Sequence, residues 1–157
     1  MNANAIKVAA VLAAAIALPA EGLRQYAYYD PPGILTVCYG HTGSDVVRGK
    51  KYSLAECDKF FSHDMREAIA TVDRCVPGLP VPVLAAFGDG VFNIGPKVAC
   101  DTKNSTAARH LKAGNLRAAC DQLPRWNKAK VMGVMVALPG LTKRRAAERD
   151  LCLSGVA

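Results

Sequence analysis

No CxxC pair occurs in this sequence of 157 residues, although it holds six cysteines. Structural zinc sites draw on closely spaced ligand pairs, so scattered thiols argue against a metal, and no metal or other cofactor is expected. A GxSxG elbow is missing as well, which leaves hydrolysis through a serine nucleophile without support. Nothing matches a nucleic-acid recognition motif, and no internal repeat or disordered tract interrupts the chain. Long hydrophobic runs are scarce too. The longest, Val8–Ala20, has thirteen residues, seven of them alanine. That is short of a comfortable bilayer span, and only when counted from Asn4 does it approach the lower limit of about 17.

Acidic residues are outnumbered, 13 against 20 basic ones, for a formal net charge of +7. The surplus is local: residues 1–80 carry eight of each sign, whereas residues 81–157 carry twelve basic and five acidic side chains. A basic C-terminal half fits a polyanionic partner such as nucleic acid, anionic lipid or an acidic wall polymer; solubility is the plainer reading. With 51% hydrophobic and 21% charged residues, the chain has the balance of one domain, with room for two lobes and a real core. Cys38, Cys57, Cys75, Cys100, Cys120 and Cys152 form an even set. Disulfides in an oxidising compartment explain it better than six buried thiols, and sequence alone leaves all fifteen pairings open.

Turn and cap residues divide the chain. Aromatic and β-branched residues from Tyr26 to Tyr39 flank Asp30-Pro31-Pro32-Gly33, which reads as strand, turn, strand. Gly40-His41-Thr42-Gly43 reads as another turn and 46–52 as a basic loop. Ser53-Leu54-Ala55-Glu56 is a capping box that opens a helix ending before Pro77-Gly78. Helices are then expected over 81–93, 105–113, 116–123 and 142–153, with breaks at Gly95-Pro96, Gly114, Pro124 and Pro139-Gly140. The predicted class is α+β: a small hairpin lobe beside a larger helical lobe, with a cleft between them suited to a polymer.

Glu21, Asp30 and Thr36 carry the chemistry. Eight residues separate the first two and five the next, so a carboxyl at a helix end faces a carboxylate and a hydroxyl on a neighbouring turn and strand. A glycosidase needs that set: an acid for the leaving oxygen and a group that organises attack from the other side. Singly, each residue has an ordinary structural explanation. His41, in a Gly-flanked turn, reads as a structural residue able to bond a carboxylate. His63 and His110 stand in no cluster, and Trp126 reads as core.

With its surroundings the segment resembles the catalytic motif of the phage-type lysozymes, the muramidases of the T-even phage lysozyme family. The matching residues are Glu21-Gly22-Leu23, Tyr28, Asp30, Thr36 and Gly40-His41-Thr42. Phe92-Asn93-Ile94-Gly95, Arg125-Trp126 and Gly140-Leu141-Thr142-Lys143-Arg144-Arg145 extend the likeness over almost the whole chain. Gly88-Asp89-Gly90 departs from the small or aromatic residues usual there, and is expected to loosen that helix. The resemblance implies a two-lobed lysozyme-like fold and hydrolysis of the β-1,4 bond between N-acetylmuramic acid and N-acetylglucosamine with inversion. Glu21 would be the general acid, protonated with the help of partial burial. Asp30 would stabilise the oxocarbenium-like transition state and, with Thr36, place the water. Thr142 and Arg145 share a helix start, which reads either as facing the cleft to contact substrate or Glu21, or as a solvated basic helix end.

The N-terminus and cysteine positions resemble one branch, the signal-arrest-release endolysins. Lys7 ahead of the apolar run reads as an export signal, and Ala15-Ile16-Ala17 offers a conceivable cleavage site. Cleavage there would leave Glu21 with no helix behind it, and a catalytic acid has to be held in register. Residues 1–20 are therefore expected to be kept as the first helix, ahead of a catalytic domain over 21–157. A buried helix of a cytosolic protein is the alternative. Export across the host inner membrane, transient tethering through residues 4–20, release to the periplasm and a monomer acting on peptidoglycan follow from the resemblance. So does the pairing Cys38–Cys57, Cys120–Cys152 and Cys75–Cys100. Two rival functions remain: a lytic transglycosylase, which needs only one carboxyl, and a non-catalytic basic module that binds wall or membrane.

Overall fold

The computed structural model describes residues 3–31 and 33–157; Pro32 of the expected turn lies outside them. Helix α1 covers Ala3–Ala20, and strands β1 (Arg24–Tyr29), β2 (Leu35–Cys38) and β3 (His41–Thr42) form an antiparallel sheet in that order. Helices α2 (Leu54–Cys75), α3 (Val81–Ile94), α4 (Lys97–Cys100), α5 (Thr106–Ala113) and α6 (Leu116–Gln122) follow. A 3-10 turn at Leu123–Arg125 leads to a second hairpin, β4 (Lys128–Val131) and β5 (Val134–Ala137), and to α7 (Pro139–Ser154). The fold is α+β, a small sheet beside a larger helical lobe, as expected.

Three local readings change. The expected turn at Gly40–Gly43 contains β3, whose His41 and Thr42 pair with Val37 and Thr36 of β2. Pro139-Gly140 does not break α7 but starts it, since a proline in the first turn gives up an N–H that has no helical partner anyway. Residues 128–137, assigned to no element from sequence, form the β4–β5 hairpin.

Helix α3 is the axis of the larger lobe, buried at every position from Val83 to Val91. Such a helix has to be apolar all round, which VPVLAAF supplies. Helix α2 covers one side with a single stripe of Cys57, Phe61, Met65, Ala68, Ile69 and Val72. The predicted capping box is formed: Ser53 accepts from the Glu56 N–H, and the Glu56 carboxylate from the Ser53 N–H. Gly88 does not loosen α3. A Cβ there would lie 2.5 Å from Ile69 Cγ1, so glycine is what lets α2 and α3 approach.

Helix α1 packs on α3, α2 and α7 through Ala9, Ala13 and Ala17, all fully buried and four residues apart. Ile6, Ala10, Leu12 and Ala14 are partly buried beside them, and the outer face is open, with Val8 52% and Val11 70% exposed. It is long and apolar enough to cross a membrane, and only 17% of it is buried in the fold. A smaller core of Val37, Cys38, Val46, Tyr52 and Cys57 lies under the first sheet. Disulfides join Cys38 to Cys57, Cys75 to Cys100 and Cys120 to Cys152, tying β2 to α2, α2 to α4 and α6 to α7. Cross-links of this kind contribute about 2–4 kcal/mol each.

Candidate active site

Glu21 follows α1 directly, and its N–H still donates to the Ala17 carbonyl at 2.8 Å, so its backbone continues the helical turn. The side chain is 22% exposed. Its Oε2 lies 3.6 Å from where a Cβ on Gly40 would stand, which places the carboxyl against the β2–β3 turn. Gly40 has a φ of +78°, so its backbone calls for glycine. A shallow cleft lined by Gly40, Thr42, Asp64, Glu67 and Phe92 adjoins it.

Asp30 and Thr36 meet through Ile34. The Ile34 N–H donates to Asp30 Oδ1 at 2.7 Å, and the Thr36 hydroxyl donates to the Ile34 carbonyl at 2.9 Å. Thr36 is 3% exposed and sits opposite Tyr28 on β1 and Thr42 on β3. With its proton committed to Ile34, Thr36 presents lone pairs that can accept from a water. Asp30 is half-buried, held by its own turn, whose Gly33 has a φ of +85°.

The partner of Glu21 is Arg144, not Arg145. Arg144 Nη1 donates to Glu21 Oε1 at 2.6 Å, while Nε and Nη2 donate to the two oxygens of Asp89 at 2.9 and 2.7 Å. Asp89 is fully buried and Arg144 is 5% exposed. Burial alone would pull the Arg144 pKa down. Hydrogen bonds and charge attraction from Asp89, then from Glu21, outweigh it and raise it, so Arg144 is a permanent cation. Asp89, which from sequence seemed to weaken α3, is thus the carboxylate that clamps α7 to it.

Arg145, expected to reach substrate, is fully buried beneath this cluster. It donates to Asn93 Oδ1 at 2.6 Å and pairs with the equally buried Glu148 at 2.9 Å. Burial pushes the Glu148 carboxyl well up, and Asp89 adds to the effect against the pull of Arg145. Successive residues of a helix point about 100° apart, so neighbouring arginines have different fates. Thr142 is exposed and accepts a hydrogen bond from Asn127 at 3.0 Å. Trp126 is partly buried against the core.

His41 stacks on Phe60 at 3.9 Å and binds Asp64 through Nδ1 at 2.7 Å and Asp45 through Nε2 at 2.9 Å. Burial lowers its pKa, but the hydrogen bonds and charges of Asp64 and Asp45 prevail, and the net shift is upward from 6.5. A raised histidine stabilises the fold fully below its unfolded value, and that contribution is lost as pH rises through the folded one. Melting temperature is therefore expected to fall from mildly acid to mildly alkaline pH. In His41→Gln this part of the slope should vanish, which a pH series of thermal melts would show. Among the described residues no group of three or more His, Cys, Asp or Glu side chains could hold a metal.

Residues 19–148 match the phage lysozyme family profile. A SAR-endolysin of Bacteriophage PS119 is 38% identical over 136 residues, covering 86% of this chain and 77% of that protein. Among solved structures, the active form of P1 phage endolysin Lyz superposes with a TM-score of 0.78 at 22% identity, covering 93% of this chain and 85% of the other. The endolysin of Escherichia coli O157:H7 phage FAHEc1 gives 0.74 at 26% identity, over 99% and 94%.

Proposed function

The chain belongs to the phage lysozyme family, and from that membership we propose that it is an endolysin that opens the host wall by hydrolysing peptidoglycan between N-acetylmuramic acid and N-acetylglucosamine. Family membership makes it a glycoside hydrolase of the muramidase type; the residue roles and the stereochemistry are our reading. One observation carries it. A carboxyl at the end of α1 is held by a permanent cation against the β2–β3 turn, beside a hairpin that carries Asp30 and Thr36.

Glu21 delivers a proton to the glycosidic oxygen as the bond to the muramic C1 breaks. Asp89 occupies two donor groups of Arg144 and leaves one for Glu21, so the acid is oriented without being enclosed. Positive charge developing on the sugar ring is met by the Asp30 carboxylate. A water accepted by Thr36 attacks C1 from the opposite face, and its proton passes to Asp30. Inversion follows, provided the carboxyls leave room for that water, roughly 6.5–9.5 Å. No cofactor takes part.

Digestion of purified peptidoglycan tests this. The expected products end in a reducing N-acetylmuramic acid released as the α-anomer, visible by NMR of fresh digests. Anhydro-muramic ends would replace the hydrolase by a transglycosylase, and wall binding without new reducing ends would leave a binding module.

Residues 1–20 act, in this reading, as an export segment that is kept: the apolar helix α1 ends at the catalytic acid, and relatives named SAR-endolysin share most of the chain's length. The enzyme would be tethered to the inner membrane through residues 4–20, then released to the periplasm as a monomer, with 21–157 as its catalytic domain.

A further inference from the structure

We propose that the β4–β5 hairpin is a second membrane contact, independent of α1, that lays its tip into an anionic lipid surface. The hairpin carries five large apolar side chains that nothing covers: Val131 (43% exposed), Met132 (99%), Val134 (63%), Met135 (59%) and Val136 (40%). Cross-strand partners share a face, and here Ala129 opposes Val136 and Val131 opposes Val134. One face is therefore wholly apolar. The other pairs Lys128 with Ala137 and Lys130 with Met135.

The tip is the most telling part. Met132 and Gly133 both have positive φ, +49° and +83°, the pattern of a type I′ turn. Asparagine fits the first of these positions far better than methionine, whose side chain is disfavoured there. Folding gains nothing in return, because Met132 is almost fully exposed. A long, flexible, apolar side chain held at a convex tip suits a soft apolar medium.

Charge and position favour lipid as that medium. Lys130 and Lys128 stand two and four residues behind the tip, about 7 and 14 Å at the rise of a strand. Interfacial elements insert by about 5–10 Å, so the valine and methionine side chains would enter the acyl boundary while the lysines meet the headgroups. Arg125 and Lys143 flank the hairpin in sequence, within the half of the chain that holds the positive surplus. A groove that runs from the base of β5 to α1 is lined by Ile16, Pro19, Leu138 and Leu141, and also by Glu21 and Arg144 of the candidate site.

Flotation of the full-length protein with vesicles tests the assignment. Wild type is expected to bind phosphatidylglycerol–phosphatidylethanolamine vesicles, less so in high salt, and to bind phosphatidylcholine weakly. The M132N/V134T variant, whose turn is better suited to the fold, should lose about tenfold or more in partitioning. K128Q/K130Q should lose about fivefold per lysine on anionic vesicles only. K128Q/K130Q should keep the wild-type melting temperature and M132N/V134T should keep or exceed it, both with wild-type wall-hydrolysis rates, so failure of the catalytic reading would not disturb this one. Undiminished partitioning of M132N/V134T would overturn the proposal and leave lipid binding to α1. Concentration-dependent dimers abolished by M132N/V134T, with no vesicle binding by wild type, would overturn it in favour of a self-interface.

Discussion

Exchanging Glu21 for glutamine is expected to cut peptidoglycan hydrolysis by about a thousandfold or more, the upper part of the range for general acid catalysis. The amide keeps an oxygen that can accept from Arg144, and the side chain is 22% exposed, so the fold should be almost undisturbed. Turbidity loss of purified walls gives the rate, and a thermal melt of the same sample confirms the fold. Activity within tenfold of wild type would remove Glu21 from proton transfer. The pairing with Arg144 adds a finer expectation: Glu21→Asp shortens the side chain, lifts it off both Arg144 and the Gly40 turn, and should retain little of the rate.

The second large effect lies one residue deeper. Arg144→Met removes the cation that compensates Asp89, a carboxylate with no exposed surface. Breaking a buried pair from one side costs about 3–5 kcal/mol. For a chain of this size that lowers the melting temperature by roughly 10 °C. Removing Asp89 as well, in Asp89→Ser/Arg144→Met, should recover most of the lost stability, since no uncompensated charge is left. It should not recover the rate, because Glu21 still lacks its donor. A double variant as unstable as Arg144→Met alone would mean that Asp89 is not the charge Arg144 serves. One that regains activity would show that Glu21 needs no guanidinium.

This cluster also marks where sequence reasoning stopped. Turn chemistry and helix caps are local, and Asp30–Gly33 and Ser53–Glu56 could be read from the residues themselves. Which of two adjacent arginines meets Glu21 depends on how α7 is rotated against α3, and no periodicity within α7 reports that. Asp89 stood out only as a lone acid inside an apolar helix. Such a residue announces a buried cation without saying which of twelve basic residues in that half supplies it. His41 was legible as a structural residue bonding a carboxylate, but its partner Asp64 lies 23 residues away on α2. The β4–β5 hairpin was missed because its turn is Met-Gly rather than Asn-Gly, and because valines and methionines fill positions that an ordinary exposed hairpin gives to polar residues.

The seam between α1 and the rest of the fold is built mostly of small side chains: Ala9, Ala13 and Ala17 are fully buried, and Ile6, Ala10, Leu12 and Ala14 are partly buried against the same core. Small side chains let helices lie close, yet each contributes little contact area, and an alanine surface is nearly as content among acyl chains as among leucines. Nor does any of the three disulfides reach α1. In the tethered state proposed above, moving this helix between lipid and protein would exchange one apolar setting for another, with no covalent link to hold it in either. On that proposal, whichever phase holds the helix also decides where Glu21 is, so a partition coefficient sets the fraction of competent enzyme.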